Sequence, residues 1–226
     1  SKIEHPAVLE VCQILEVEGF ETTYVDVDDY GMVSVDQIEN AIRPDTILIT
    51  IMHANNEVGT IQPIEEIAWL ARQRGICMHT DAAQSVGKIA TDVQKMNVDL
   101  LSLAGHKLYA PKGIGALYVH KGVMPQKFCH GASQETGWRA GTENVLEIVG
   151  LGQACEIAAQ NLDQTGVHLK AMRDRLHEGI AAKFTQIRLN GHPDKRLPNT
   201  LSLSFKDLEA NRILEEIGLD IAASAG

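Results

Sequence analysis

DLLSLAGHKLYAPKGIGALYV, residues 99 to 119, runs an apolar strand into Gly105-His106-Lys107 and sends out a second apolar strand after Gly113 and Gly115. A lysine is thereby presented at the mouth of a sheet. Lysine attacks an aldehyde only as the neutral amine, which burial and neighbouring charges can favour by lowering its pKa. Standing alone, a loop lysine is more often a solvated cation than a nucleophile, so the surrounding chain has to decide between the two.

Working back from this stretch, Ile76 to Thr80 (ICMHT) reads as a strand that delivers Asp81, followed by AAQSVGK. Asp81 is either an N-cap for the next turn or a carboxylate presented to a ligand. Gln84 adds an amide three residues on. Earlier, Thr46 to Met52 (TILITIM) is a near-continuous apolar run, as expected of a strand covered on both faces. It leads into HANNEVGTIQP and a helix over Ile64 to Arg74 that stops at Gly75. Asn55 and Asn56 either build turns with their side chains or donate to an anionic group. Helical crossovers make these three strands parallel. Their junctions then bring Asn55 and Asn56, Asp81 and Gln84, and His106 and Lys107 to one sheet edge, where ligands bind in open α/β sheets. A carboxylate, a lysine and a donor-rich loop are the groups that hold a pyridinium nitrogen, an aldehyde and a phosphate.

The flanks follow the same alternation. Pro6 starts a helix that ends at Gly19, placing His5 just before its N-terminus, either as a capping residue or as a ring held over a ligand. Glu21 to Val27 (ETTYVDV) alternates as a strand, and Val35 to Ile42 reads as a short helix stopped by Pro44. After Gly141, Ile148, Leu151, Ala154, Cys155 and Ala158 share a helix face, and a second amphipathic stretch covers Val167 to Phe184. Ile187 to Leu189, Thr200 to Phe205 and Leu219 to Ala222 read as strands, and Glu209 to Ile217 as a helix with a solvated acidic face.

The totals narrow the function classes. The 226 residues carry a net charge of −10, against a broad nucleic-acid surface, and no apolar run approaches the roughly 18 residues of a membrane span. Cys12, Cys77, Cys129 and Cys155 lack metal-ligand spacing, so no metal site is expected, and they read as reduced thiols of a cytoplasmic protein. No G-x-G-x-x-G follows the first strand, which argues against a dinucleotide fold.

EHPAVL at His5, MHANNEVGTIQPI over Met52 to Ile64, HTDAAQSVGK over His79 to Lys88, GHKLYAPKGIGALYV over Gly105 to Val119, RAGTEN over Arg139 to Asn144 and LPNTLSLSF over Leu197 to Phe205 stand in order along nearly the whole chain. This text resembles the cysteine desulfurase and selenocysteine lyase family of class V aminotransferase-like enzymes. The resemblance implies pyridoxal 5'-phosphate as cofactor and the aspartate-aminotransferase-like α/β fold (fold type I). Residues 1–160 would form most of a three-layer large domain with a mainly parallel sheet, and residues 161–226 the start of a smaller α+β domain. Lys107 would bond covalently to the cofactor and later carry the substrate proton. Asp81 would pair with the pyridine N–H, Gln84 would donate to the phenolic oxygen, and His5 would stack on the ring and relay protons. His106 would contact the phosphate, Thr142 the phosphate of the partner subunit in a homodimer, and Asn56 the substrate carboxylate. The implied reaction takes sulfur from L-cysteine, or selenium from L-selenocysteine, and leaves alanine. Sulfur then passes as a persulfide to an acceptor protein for iron-sulfur cluster or other thio-cofactor assembly.

Two departures from the family pattern stand out. Ala104 replaces a phosphate-contacting serine, and His130 to Glu135 (HGASQE) replaces a more glycine-rich run. The chain also reads as an internal piece. A small-residue phosphate turn is expected before His5, and a persulfide-forming cysteine and a carboxylate-binding arginine are expected beyond Gly226. A catalytically incomplete fragment that dimerises or binds a partner is therefore the alternative to an active enzyme.

Overall fold

The structure, a computed structural model, describes residues 1–218 and 220–225. In chain order the elements are α1 (Pro6–Val17), α2 (Val35–Ala41), β1 (Leu48–Thr50), α3 (Ile64–Gln73), β2 (Cys77–Asp81), α4 (Val93–Met96), β3 (Leu100–Ala104), β4 (Gly115–Val119), α5 (Val145–Ala181), β5 (Ile187–Leu189), β6 (Leu203–Phe205) and α6 (Ala210–Ile217). They form two compact units, one of residues 42–53 and 63–162, the other of residues 1–41, 54–62 and 163–226.

The first unit holds a sheet in the order β1-β2-β3-β4, with β1, β2 and β3 parallel and β4 antiparallel to β3. Leu48 pairs with Cys77, Asp81 with Ser102, and Ala104 with Gly115. The β1 ladder continues past the strand, because Ile51 and His53 donate to the carbonyls of His79 and Asp81. The apolar run from Thr46 is buried at Ile49, Ile51 and Met52, but Ile47 and Leu48 are exposed, so only its later part is covered on both faces as expected. On α3, Ile64, Ile67, Ala68 and Ala71 form the buried face, while Glu65, Glu66 and Arg72 lie outside with charges that suit the helix dipole. Full burial of one such isoleucine contributes about 1.5–3 kcal/mol. Gly75, at φ +67°, takes the left-handed conformation that ends the helix. A second cluster, Leu108, Ala110, Leu151 and Ala154, packs the start of α5 beneath the turn that follows β3.

The second unit is built on its own local devices. β5 and β6 pair antiparallel. The buried Gln62 side chain bonds both ways to one loop, accepting from Val33 N at 2.9 Å and donating to Gly31 O at 2.7 Å. Buried Arg196 donates from Nη2 to the carbonyls of Val58 and Thr200, both at 3.2 Å. His192, a loop residue, accepts from Asp194 N and Lys195 N through Nδ1.

Three sequence expectations change. Among the described residues Glu21 to Val27 is not a strand, although Lys2 N donates to Val25 O at 3.0 Å. Alternation supplies a half-buried face, but a strand also needs a neighbour in register. The two amphipathic stretches expected after Gly141 are one continuous 37-residue helix, α5, carried through its polar middle by i,i+4 pairs such as Gln160 to Glu156 and Lys170 to Asp174. The strand expected over Leu219 to Ala222 lies partly outside the described residues, and Ile221 and Ala222 form no ladder.

Candidate functional site

β2 and β3 end side by side, and each hands over to a tight turn carrying polar groups. After β2, Asp81 is partly buried and its Oδ1 accepts from Ala83 N at 2.8 Å, so it does serve the capping role open to it. Among the described residues its Oδ2 has no hydrogen-bond partner. Ser85 N and Val86 N both bond back to Ala82 O, which winds Ala82 to Ile89 into successive turns. That winding puts Gln84 and Lys88 one turn apart. Lys88 Nζ donates to Gln84 O at 2.9 Å and to Gln84 Oε1 at 3.2 Å. Burial, with a smaller contribution from the neighbouring Lys107 charge, pushes Lys88 down to about 8.

After β3, residues Gly105–Leu108 form a single 3-10 turn that exposes His106 and Lys107 and buries Gly105 and Leu108. Among the described residues the Lys107 ammonium makes no hydrogen bond or ion pair, so the amine is open to a ligand. The tightness of the turn rests on Gly105. A Cβ there would stand 2.8 Å from Ile114 O and 2.9 Å from Ile114 Cγ2. Gly105→Ala is therefore expected to cost about 1–3 kcal/mol, as overpacked sites do. A urea midpoint unchanged from wild type would contradict this reading of the turn.

Two histidines brace this edge from within the sheet. His79 spans all three parallel strands, with Nδ1 at 2.7 Å from Thr50 Oγ1 and Nε2 at 2.9 Å from Ser102 Oγ. Burial lowers its pKa, and the nearby Asp81 charge opposes that. His53, only 7% exposed, bonds through Nδ1 to Ser85 Oγ at 2.8 Å, and its backbone N–H donates to Asp81 O. Burial holds His53 down to about 4, well below its usual 6.5. The unfolded chain thus binds this proton more tightly than the folded one. Stability is full above pH 6.5 and falls as pH drops toward 4, by roughly 3 kcal/mol over that span. Chemical denaturation between pH 4 and 7, with His53→Gln as reference, tests this; equal pH slopes for the two proteins would exclude His53 as the cause.

Thr142 lies in the same unit, exposed after Gly141. His5 and Asn56 belong to the other unit, where they help line a cleft of about 510 Å³ together with Tyr30, Arg188 and Asn190. His5 caps α1, its Nδ1 accepting from Ala7 N at 3.1 Å, which leaves Nε2 as the outward nitrogen. The two asparagines divide the roles open to them. Asn55 is buried and builds the turn, accepting from Glu57 N and Val58 N, whereas the Asn56 side chain donates to the Glu57 carboxylate at 2.6 Å.

The sequence singled out Asp81, Gln84, His106 and Lys107, and the fold gathers them at the ends of β2 and β3. Lys88, His53, His79 and Ser85 escaped it. The four-residue spacing of Gln84 and Lys88 was a usable signal for the first. The other three depend on strand register, which spacing does not encode.

The aminotransferase class-V profile matches residues 1–226. A curated relative, cysteine desulfurase IscS of Methanosarcina thermophila, is 53% identical over 214 residues, covering 95% of this chain and 53% of that protein. Among solved structures, a NifS-like protein superposes with a TM-score of 0.93 at 39% identity, over 98% of this chain and 61% of its own. SspA in complex with cysteine gives 0.81 at 42% identity, over 96% of this chain and 60% of its own. The chain spans about half the length of the curated relatives it matches. Its fold is that of the NifS-like pyridoxal-phosphate enzymes, and the chain belongs to the aminotransferase class-V family.

Proposed function

We propose that the complete protein is a pyridoxal-phosphate-dependent cysteine desulfurase. It takes sulfur from L-cysteine, or selenium from L-selenocysteine, leaves alanine, and passes sulfur as a persulfide to an acceptor protein for iron-sulfur cluster or other thio-cofactor assembly. The observation that carries this reading is the pairing of an unpartnered Lys107 amine with the half-free Asp81 carboxylate at adjacent strand ends. Kinship with cysteine desulfurases, and likeness to SspA, solved in complex with cysteine, support the substrate class.

The donor set fits the cofactor. Asp81 Oδ2 is open to accept a pyridinium N–H, the Gln84 amide nitrogen is open to donate, and the Lys107 amine is open to bond a carbonyl carbon. Bound there, pyridoxal phosphate supplies an electron sink that weakens bonds to the substrate α- and β-carbons. The remaining work falls to the chain. Asp81 would keep the ring nitrogen cationic, Lys107 would hold the cofactor and move the proton at the substrate α-carbon, His106 would contact the phosphate, and Gln84 would donate to the phenolic oxygen. His5 would stack on the ring, and Asn56 would hold the substrate carboxylate.

A homodimer belongs to the same reading, with Thr142 reaching the partner subunit's phosphate. Exposed Met124, Phe128, Val145, Leu146 and Val149 offer the apolar surface that such an interface would cover. A large domain over residues 1–160 and a smaller one beginning at 161 are part of it too; the unit boundary after residue 162 supports the second bound, while residues 1–41 and 54–62 cluster with residues 163–226. So is a cytoplasmic location, supported by four free cysteines. Among the described residues no helix is long and apolar enough to cross a membrane.

The test is to load the complete protein with pyridoxal phosphate, supply L-cysteine, and quantify alanine by mass spectrometry. Alanine should form catalytically, with sulfide released in equal amount under dithiothreitol. Alanine at the rate of free pyridoxal phosphate alone would overturn the proposal.

A further inference from the structure

We propose that Lys88 is a positioning residue for Gln84: it ties down the Gln84 side-chain oxygen, leaving the amide N–H as the end presented to the cofactor's phenolic oxygen. The inference rests on the pyridoxal-phosphate reading above and concerns a residue that reading does not use.

An amide side chain can present either its donor or its acceptor end, and an acceptor turned toward a phenolic oxygen would repel it. As an ammonium, lysine carries donors only. Set one turn after Gln84 and bonded to Oε1 at 3.2 Å and to the Gln84 carbonyl at 2.9 Å, Lys88 selects which end of the amide faces away from it. The ammonium is partly buried, and among the described residues no carboxylate pairs with it. Burying a charge against amide oxygens alone is a poor way to gain stability. An arrangement that fixes a donor beside Lys107 gives that cost a function.

The experiment follows the pH at which the visible absorbance of bound pyridoxal phosphate titrates in the complete protein. Losing a donor to the phenolic oxygen makes that oxygen hold its proton more tightly. Gln84→Ala should therefore move the midpoint up by roughly 0.5 to 1 pH unit. Lys88→Met should give a shift of the same sign and similar size, Lys88→Arg should restore most of it, and Lys88→Met in a Gln84→Ala background should add nothing. No shift in Lys88→Met overturns the proposal. So does an equal shift in the Gln84→Ala background, because Lys88 would then act through its own charge.

A second readout needs no cofactor. Competitive acetylation with peptide mass spectrometry should find Lys88 labelled several-fold faster in Gln84→Ala, relative to exposed Lys112. Unchanged labelling would show that the two side chains are not tied, and overturns the proposal by itself. A wild-type protein that binds no pyridoxal phosphate would instead sink the proposed function and leave this labelling to decide the role of Lys88.

Discussion

Replacing Lys107 by alanine is expected to abolish covalent retention of pyridoxal phosphate and to lower alanine formation from L-cysteine by at least about 10²- to 10⁴-fold, the range for a positioned proton-transfer group. The side chain is exposed and makes no hydrogen bond among the described residues, so its removal should leave the fold intact. Thermal unfolding of the apo variant should match wild type. Loss of function with unchanged stability would separate a chemical role from a structural one. Borohydride reduction of the loaded wild type followed by peptide mapping locates the bonded lysine. The partly buried Lys88, which burial pushes down to about 8, is the natural competitor. A reduced adduct mapping to Lys88, or persisting in Lys107→Ala, would refute the central assignment.

Asp81→Asn carries the second large effect. Asparagine keeps an oxygen to accept from Ala83 N, so the turn after β2 can survive the substitution. What disappears is the negative charge that holds the pyridine nitrogen protonated. A hydrogen bond to a charged group contributes about 1.5–3 kcal/mol, which corresponds to roughly 10- to 150-fold. The loss should fall mainly on kcat, because the cationic ring matters most when electrons flow into it. Retained kcat with weakened cofactor binding would mean that Asp81 merely anchors the ring. His79 also feels the Asp81 charge, which favours its protonated form. Asp81→Asn should therefore lower the pKa of His79 further, a change that its ring carbon protons report by NMR.

Much of the site could be read from the chain because its key residues follow apolar runs directly. Asp81 ends the run from Ile76, and Gly105-His106-Lys107 ends the run from Leu100. In a parallel sheet the carboxyl end of a strand is also the ligand-facing edge, so position along the chain translates into position at the site. The choice between Asn55 and Asn56 could not be read this way. Both have the same chemistry and both line the cleft, and only the turn from Asn55 to Val58 makes Asn55 a structural acceptor.

By itself the sequence determined the parallel arrangement of β1, β2 and β3, the helix between β1 and β2, the lysine turn after β3 and the motifs of the family. Each of these is set by local periodicity, by a glycine or proline at an element's end, or by contiguous text. Only the tertiary structure decided that Glu21 to Val27 forms no strand among the described residues, that α5 runs unbroken for 37 residues, and that His79 ties three strands while burial disfavours a charge on His53. These outcomes depend on which groups distant in sequence come within hydrogen-bond reach, and on how much water the fold excludes around them.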